Sequence, residues 1–147
     1  MTRVRQKDGL SYGISSGLTA SAKEKDGSFR VNAIAAPQNI AKVEAAVKEE
    51  LERALKDGFT ADELAGAKSG WLQSQNVARS EDGSLAGLLA SRDYDDRTLA
   101  WDATLEKNVA ALTTQQILEA MRRHLDLASL SVVKAGDFQK AAAAAAK

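Results

Sequence analysis

The chain has 147 residues, with 20 basic and 20 acidic side chains, one histidine and no cysteine. Its length and its apolar content of 44% are typical of a single domain that can close a hydrophobic core. Because the formal net charge is zero, no long-range field attracts nucleic acid or an anionic membrane. The absence of cysteine excludes thiolate catalysis and disulfide frameworks, and a single histidine excludes a histidine-cluster zinc site. We therefore expect this chain to bind no metal by itself.

The chain opens on a transition from helix to strand. Residues 1–7 have the pattern of the last turns of a helix, and Gly9 stands where a glycine commonly ends one. Alternation of apolar with small or polar residues then predicts a half-buried strand over residues 10–20. The apolar face of that strand consists of Leu10, Tyr12 and Ile14. Arg5 thus precedes Tyr12 by seven positions, on the other side of the turn.

A hairpin and a long helix come next. A second strand is predicted over residues 29–35, and a polar turn over residues 23–28 joins it to the first. Asn39 can cap a helix that continues to Asp57 and is stopped by Gly58. This helix is amphipathic, so we expect its apolar stripe to pack on the sheet.

The remainder is predicted to be helical almost to the end. Thr60 and Glu63 have the spacing of a capping box at the start of a helix. Further helices are predicted over residues 84–94, 97–112 and 113–124, the last opening on a second capping box. A final strand is predicted over residues 127–134. Two strands, a run of helices and a final strand indicate the α+β class, as an antiparallel sheet with helices packed on one face.

Two features bear on domain organisation. Residues 1–138 are interpreted as one partial domain, and residues 139–147 as an alanine-rich tail with no apolar stripe to dock. The first helix has no capping residue and no strand before it. We therefore expect that the N-terminal part of the domain is missing, and that its strands would join the three predicted here.

The run from Arg5 to Tyr12, with the strand and the helix over residues 40–56 that follow, resembles the C-terminal, zinc-free domain of the insulinase/pitrilysin family of zinc metallopeptidases. The segment from Gly58 to Leu64 is similar to that family's linker between helices. The resemblance implies a non-catalytic domain that completes a peptide-binding chamber. Zinc is expected in a partner domain or subunit, because the family's His-x-x-Glu-His motif does not occur in this chain.

The resemblance further implies that Arg5 and Tyr12 contact bound peptide beside that zinc. An arginine fork can bind a carboxylate or a carbonyl, and a tyrosine hydroxyl can donate to a developing oxyanion. The chain alone is expected to be inactive. Its expected partners are the zinc-bearing domain or subunit and an extended peptide substrate, and the fragment could also form a homodimer. Similarity to exported bacterial members implies a soluble periplasmic protein. From the residues alone, Arg5 could equally be a solvated helix residue, and Tyr12 a strand aromatic facing a core.

Other candidate sites have simpler interpretations. His124 could be a general base, but a cation in the last turn of a helix also favours the helix dipole. Asp93, Asp95 and Asp96 lack the ligand spacing of a calcium loop and are interpreted as a linker between helices. The alternative function is a stand-alone interaction module that binds extended peptide by strand addition at a sheet edge, without metal chemistry.

Overall fold

The computed structural model describes residues 3–21 and 23–139. A π-helical turn, Arg3–Lys7, precedes an antiparallel hairpin. The strands are β1 (Gly13–Ala20) and β2 (Gly27–Ile34). The helices are α1 (Ile40–Asp57), α2 (Ala61–Ser80), α3 (Asp82–Tyr94), α4 (Leu99–Ala111) and α5 (Thr114–His124). The predicted α+β class is confirmed.

The described residues fall into two compact units. The first contains the hairpin and most of α1, runs to Arg53, and resumes at Asp126. The second, Ala54–Leu125, contains the end of α1 and the helices α2 to α5.

The core of the first unit lies between the hairpin and α1. Val4, Val43 and Ala46 are buried, with exposed fractions of 1%, 5% and 5%. Partly buried apolar residues surround them, namely Leu10, Ile14, Ala33, Ala35 and Val47. Ile14 and Ala33 are direct partners in the hairpin, so one face of the two strands packs against the apolar stripe of α1. This is the expected packing of a helix on one face of the sheet.

The end of α1 and the start of α2 follow the sequence signals. Gly58 has φ +73°, and its N–H donates to the Ala54 carbonyl at 3.0 Å, which closes the helix. Thr60 Oγ1 accepts from the Glu63 N–H at 3.2 Å, and the Glu63 carboxylate accepts from the Thr60 N–H at 2.8 Å. The same reciprocal pair joins Thr113 and Gln116 at the start of α5. Both predicted capping boxes are confirmed.

In the second unit, an ion pair joins α3 to α4. Arg92 Nε and Nη2 donate to the two carboxylate oxygens of Asp102 at 2.9 and 2.6 Å. Asp102 is buried, with 8% of its surface exposed. The hydrogen bond from Arg92 holds the pKa of the Asp102 carboxyl below its usual value. Trp101 lies beside the pair, with the guanidinium carbons of Arg92 and Arg97 at 4.9 and 4.3 Å from its ring centre.

Three predicted elements differ from the structure. The strand predicted over residues 127–134 is wrong: a 3-10 turn occupies Leu127–Ser129, and residues 130–135 have no regular structure. A strand needs a neighbour to pair with, and among the described residues β2 pairs only with β1. The strand predicted from residue 10 begins at Gly13. The described part of the first predicted helix is π-helical, and residues 140–147 of the predicted tail lie outside the described residues.

Candidate functional site

Arg5 and Tyr12 each follow a buried residue at the entrance to the hairpin. Val4 is almost completely buried, and the next side chain, Arg5, is exposed. Ser11 is buried at 7% exposure, and the next side chain, Tyr12, is 76% exposed. Within residues 3–21 and 23–139, no hydrogen bond or ion pair engages the Arg5 guanidinium or the Tyr12 hydroxyl. Both side chains therefore have their donors available to an external group.

Backbone hydrogen bonds fix the segment that carries these two residues. Gly9 has φ +59°, and the reversal it allows lets the Leu10 N–H donate to the Val4 carbonyl at 3.0 Å. The Tyr12 N–H donates to the Ile34 carbonyl at 2.8 Å, just beyond the end of the β1 ladder. The bond between Leu10 and Val4 thus joins the π-helical turn that carries Arg5 to the strand entrance that carries Tyr12.

Ser11 explains why Tyr12 is not on the core side. The Ser11 hydroxyl oxygen lies 2.7 Å from the Gly13 carbonyl and 2.9 Å from the Ile34 carbonyl, and it accepts from the Gly13 N–H at 3.2 Å. Such local bonds compete with the regular strand conformation and bend the chain. Leu10 and Ile14 pack on the core as predicted, whereas Tyr12 does not join them. The core-facing interpretation of Tyr12 is wrong.

Sequence reasoning missed Ser11 itself. A serine between two apolar residues in an alternating run has the pattern of an exposed strand position, and Ser11 is instead among the buried polar residues. The signal that could have found it is the Ser-x-Gly spacing before the strand, which is typical of a side chain bonded to a backbone N–H two residues on. The exposure of Arg5, by contrast, fits both a solvated helix residue and a contact with a partner.

The other sequence candidates lie in the second unit, at helix ends. His124 is exposed in the last turn of α5. Asp93 is in the last turn of α3, and the N–H of Asp95 donates to the carbonyls of Ser91 and Arg92 as the helix ends. Asp96 then takes φ +52° in the link to α4, as a linker residue. Within the described ranges, no group of three or more histidine, cysteine or acidic side chains could hold a metal ion.

The fold and the candidate site together define an α+β unit. It presents an exposed arginine and an exposed tyrosine at the entrance to its hairpin. The family model described as the peptidase M16 inactive domain matches residues 1–70, which include the hairpin and the candidate pair. A crystal structure of a peptidase M16 inactive domain from Pseudomonas fluorescens matches with a TM-score of 0.73 and 27% identity, over 86% of this chain and 29% of that one. None of the curated proteins matches the chain.

The family model and the solved structure confirm the resemblance, inferred from the sequence, to the C-terminal, non-catalytic domain of the insulinase and pitrilysin type of peptidase, the M16 peptidases. The chain spans less than a third of the length of the solved chain that it matches. Across the part of the chain that the structure describes, we find no helix with the length and apolarity required to cross a membrane.

Proposed function

We propose that this chain completes the peptide-binding chamber of a zinc-dependent endopeptidase, where Arg5 and Tyr12 contact the bound peptide next to the catalytic centre of a partner domain or subunit. The observation that carries the proposal is the position of Tyr12. A tyrosine that is 76% exposed contributes little to the core, yet its backbone is fixed on both sides by hydrogen bonds. A rigid backbone that presents an unbonded hydroxyl is suited to recognition of a partner group.

The two side chains would have different roles because their chemistry differs. The Tyr12 hydroxyl would donate a hydrogen bond to the oxyanion that forms on the scissile carbonyl. The Arg5 fork would bind a carbonyl or carboxylate of the peptide, and this contact can form before the reaction as well as during it. Neither residue supplies a nucleophile. Arg5 and Tyr12 would therefore support the reaction, whereas its nucleophile and its metal would come from the partner domain or subunit.

The zinc of such an enzyme does not fit the residues described for this chain. They offer one histidine, at an exposed helix end, and no cluster of ligands around it. We therefore assign the metal to the partner, as the resemblance implies. Export to the periplasm is part of the same proposal and rests on similarity to bacterial members of the family alone.

Kinetics of the complete peptidase, or of this chain reconstituted with its catalytic partner, test the proposal. Arg5→Ala should raise KM and lower kcat/KM, and Arg5→Lys should restore little, because a point charge lacks the planar set of donors. Lys7→Ala is the matched control, since Lys7 is an exposed cation at the end of the same π-helical turn. Equal effects of Arg5→Ala and Lys7→Ala would show that Arg5 contributes only general charge, and would refute its role.

A further inference from the structure

The hairpin of the first unit has a polar face that lies opposite α1. Ile14 and Ala33 are partners across the two strands and pack on the core, so the alternate pairs lie on the other face. These pairs are Gly13 with Ile34, Ser15 with Asn32, Gly17 with Arg30, and Thr19 with Ser28. The strands expected from the missing N-terminal part would extend the sheet at an edge, and this face would remain open.

A shallow depression of about 300 Å³ lies on this polar face. Its lining includes Ser15, Gly17 and Thr19 of β1 and Ser28, Arg30 and Asn32 of β2. A glycine inside a strand weakens it and often marks a bulge or the close approach of another group. β1 pairs with β2 one residue to one along its whole length, so Gly17 marks no bulge. Apart from its chain neighbours, no described atom lies within 4 Å of a carbon added at Gly17, so the space above it is open to an external group.

Arg30 gives this open space a positive charge. It is the direct partner of Gly17 across the hairpin, and its side chain is exposed. Across residues 3–21 and 23–139, no hydrogen bond or ion pair engages its guanidinium. No acidic side chain among these residues lines the depression. The depression is therefore suited to a carboxylate, which a guanidinium fork binds through two parallel hydrogen bonds.

The polar face begins next to Tyr12. The Ile34 carbonyl accepts from the Tyr12 N–H at 2.8 Å, and the Ile34 side chain is 71% exposed at this end of the hairpin. Arg30 lies four residues from Ile34 along β2, and its partner Gly17 lies five residues after Tyr12. At about 3.3 Å per residue, these separations correspond to about 13–17 Å. An extended peptide whose scissile carbonyl contacts Tyr12 would thus reach Arg30 about four or five residues from the cleaved bond.

We infer that the polar face of the hairpin holds one arm of the peptide substrate, and that the enzyme favours an acidic residue about four or five residues from the cleaved bond. This residue pairs with Arg30 above Gly17. The inference rests on the proposed function, since the distance is counted from the contact of Tyr12 with the scissile carbonyl. Ile34 adds an apolar contact nearer the cleaved bond, because a substrate side chain that covers it removes apolar surface from water.

A peptide series tests the inference on the complete peptidase. Each member is a neutral peptide with a single glutamate, which is moved from about two to about seven residues away on either side of the cleaved bond. Mass spectrometry of the products identifies that bond for each member. The value of kcat/KM should rise roughly two- to fivefold when the glutamate lies about four or five residues away on one side. A kcat/KM that is the same at every position would overturn the inference.

Variants at the depression locate the preference. Arg30→Ala should abolish it, and Arg30→Glu should instead favour lysine at the same position of the peptide. Lys25→Ala, which removes an exposed cation from the hairpin turn, is the matched control and should leave the preference unchanged. Gly17→Val should still fold, because the added carbon meets open space, and should weaken the preference by filling the depression. A preference that persists in Arg30→Ala would refute the site.

Tyr12→Phe, measured on the same peptides, separates this inference from the proposed function. Slower turnover of every peptide by Tyr12→Phe, with no effect of glutamate position in the unaltered enzyme, would overturn the inference and retain the proposed function. Normal turnover by Tyr12→Phe, with a preference that Arg30→Ala abolishes, would retain the Arg30 contact and refute the role of the Tyr12 hydroxyl.

Discussion

The hydroxyl of Ser11 lies 2.9 Å from the carbonyl oxygen of Ile34, which also accepts the backbone N–H of Tyr12. This contact joins the start of the hairpin to its end and leaves the Tyr12 side chain in solvent. A buried serine thus determines which way the candidate tyrosine faces. It gives the sequence run from Arg5 to Tyr12 a structural reason in addition to the proposed functional one.

Ser11→Ala should lower the free energy of unfolding by about 1–2 kcal/mol, because the Gly13 N–H loses its acceptor in a partly buried position. Urea unfolding of the full chain measures the change. Ser15→Ala is the control, since Ser15 is exposed on β1, and its effect should stay within about 0.5 kcal/mol. Equal stabilities of the two variants would show that the Ser11 contacts contribute nothing.

Two glycines should respond to alanine in opposite directions. Gly58→Ala places a side chain at φ +73° and should destabilise the chain by about 1 kcal/mol, while Leu118 at 3.5 Å leaves room for the added carbon. Gly66 lies within α2, and apart from its chain neighbours and the backbone of its own helix no atom lies within 4 Å of the added carbon, so Gly66→Ala should stabilise the chain by about 0.5–1 kcal/mol. Thermal unfolding of both variants checks the signs. A stabilising Gly58→Ala would contradict the helix-ending role of Gly58.

The Arg92–Asp102 pair should make stability depend on pH in the acid range. The pKa of Asp102 is lowered in the folded chain, so the unfolded chain binds its proton more readily. The contribution of the ion pair to the free energy of unfolding is fully present above the usual pKa of 3.8. It is lost as pH falls through the lower pKa of the folded chain. The free energy of unfolding, measured from pH 6 downward, should show this loss. In Asp102→Asn the part of the decrease that comes from protonation of Asp102 should be absent. Parallel profiles for the two proteins would contradict the assignment.

The chain alone should retain no stoichiometric zinc, since its single histidine belongs to no group of three or more potential ligands among the described residues. Elemental analysis after dialysis measures the zinc content, and peptide hydrolysis by the same samples should be at background. One zinc per chain that survives dialysis would place a metal site in this chain and contradict the assignment of zinc to a partner.

The sequence predicted the features that depend on local chemistry. The glycine at the end of α1, both capping boxes and the antiparallel hairpin could be read from residue types and their spacing, because each is decided within a few residues. The outward position of Tyr12 could not, because it depends on a hydroxyl bonded to Ile34, which is 23 residues away from Ser11. The third strand, predicted but not observed, also depends on residues that are distant in the sequence. Residues 130–135 have the composition of a strand, but a strand forms only beside a partner.

The most direct test of the central claim is Tyr12→Phe in the complete peptidase, with kinetics and thermal unfolding measured on the same samples. Loss of one hydrogen bond to the oxyanion should lower kcat by roughly 10²-fold. Stability should hardly change, because the hydroxyl is exposed and unbonded within the described residues. Tyr94→Phe, at the other tyrosine of the chain, is the matched control and should leave kcat unchanged. A Tyr12→Phe enzyme that cleaves peptide at the normal rate would contradict the account, whatever its melting temperature.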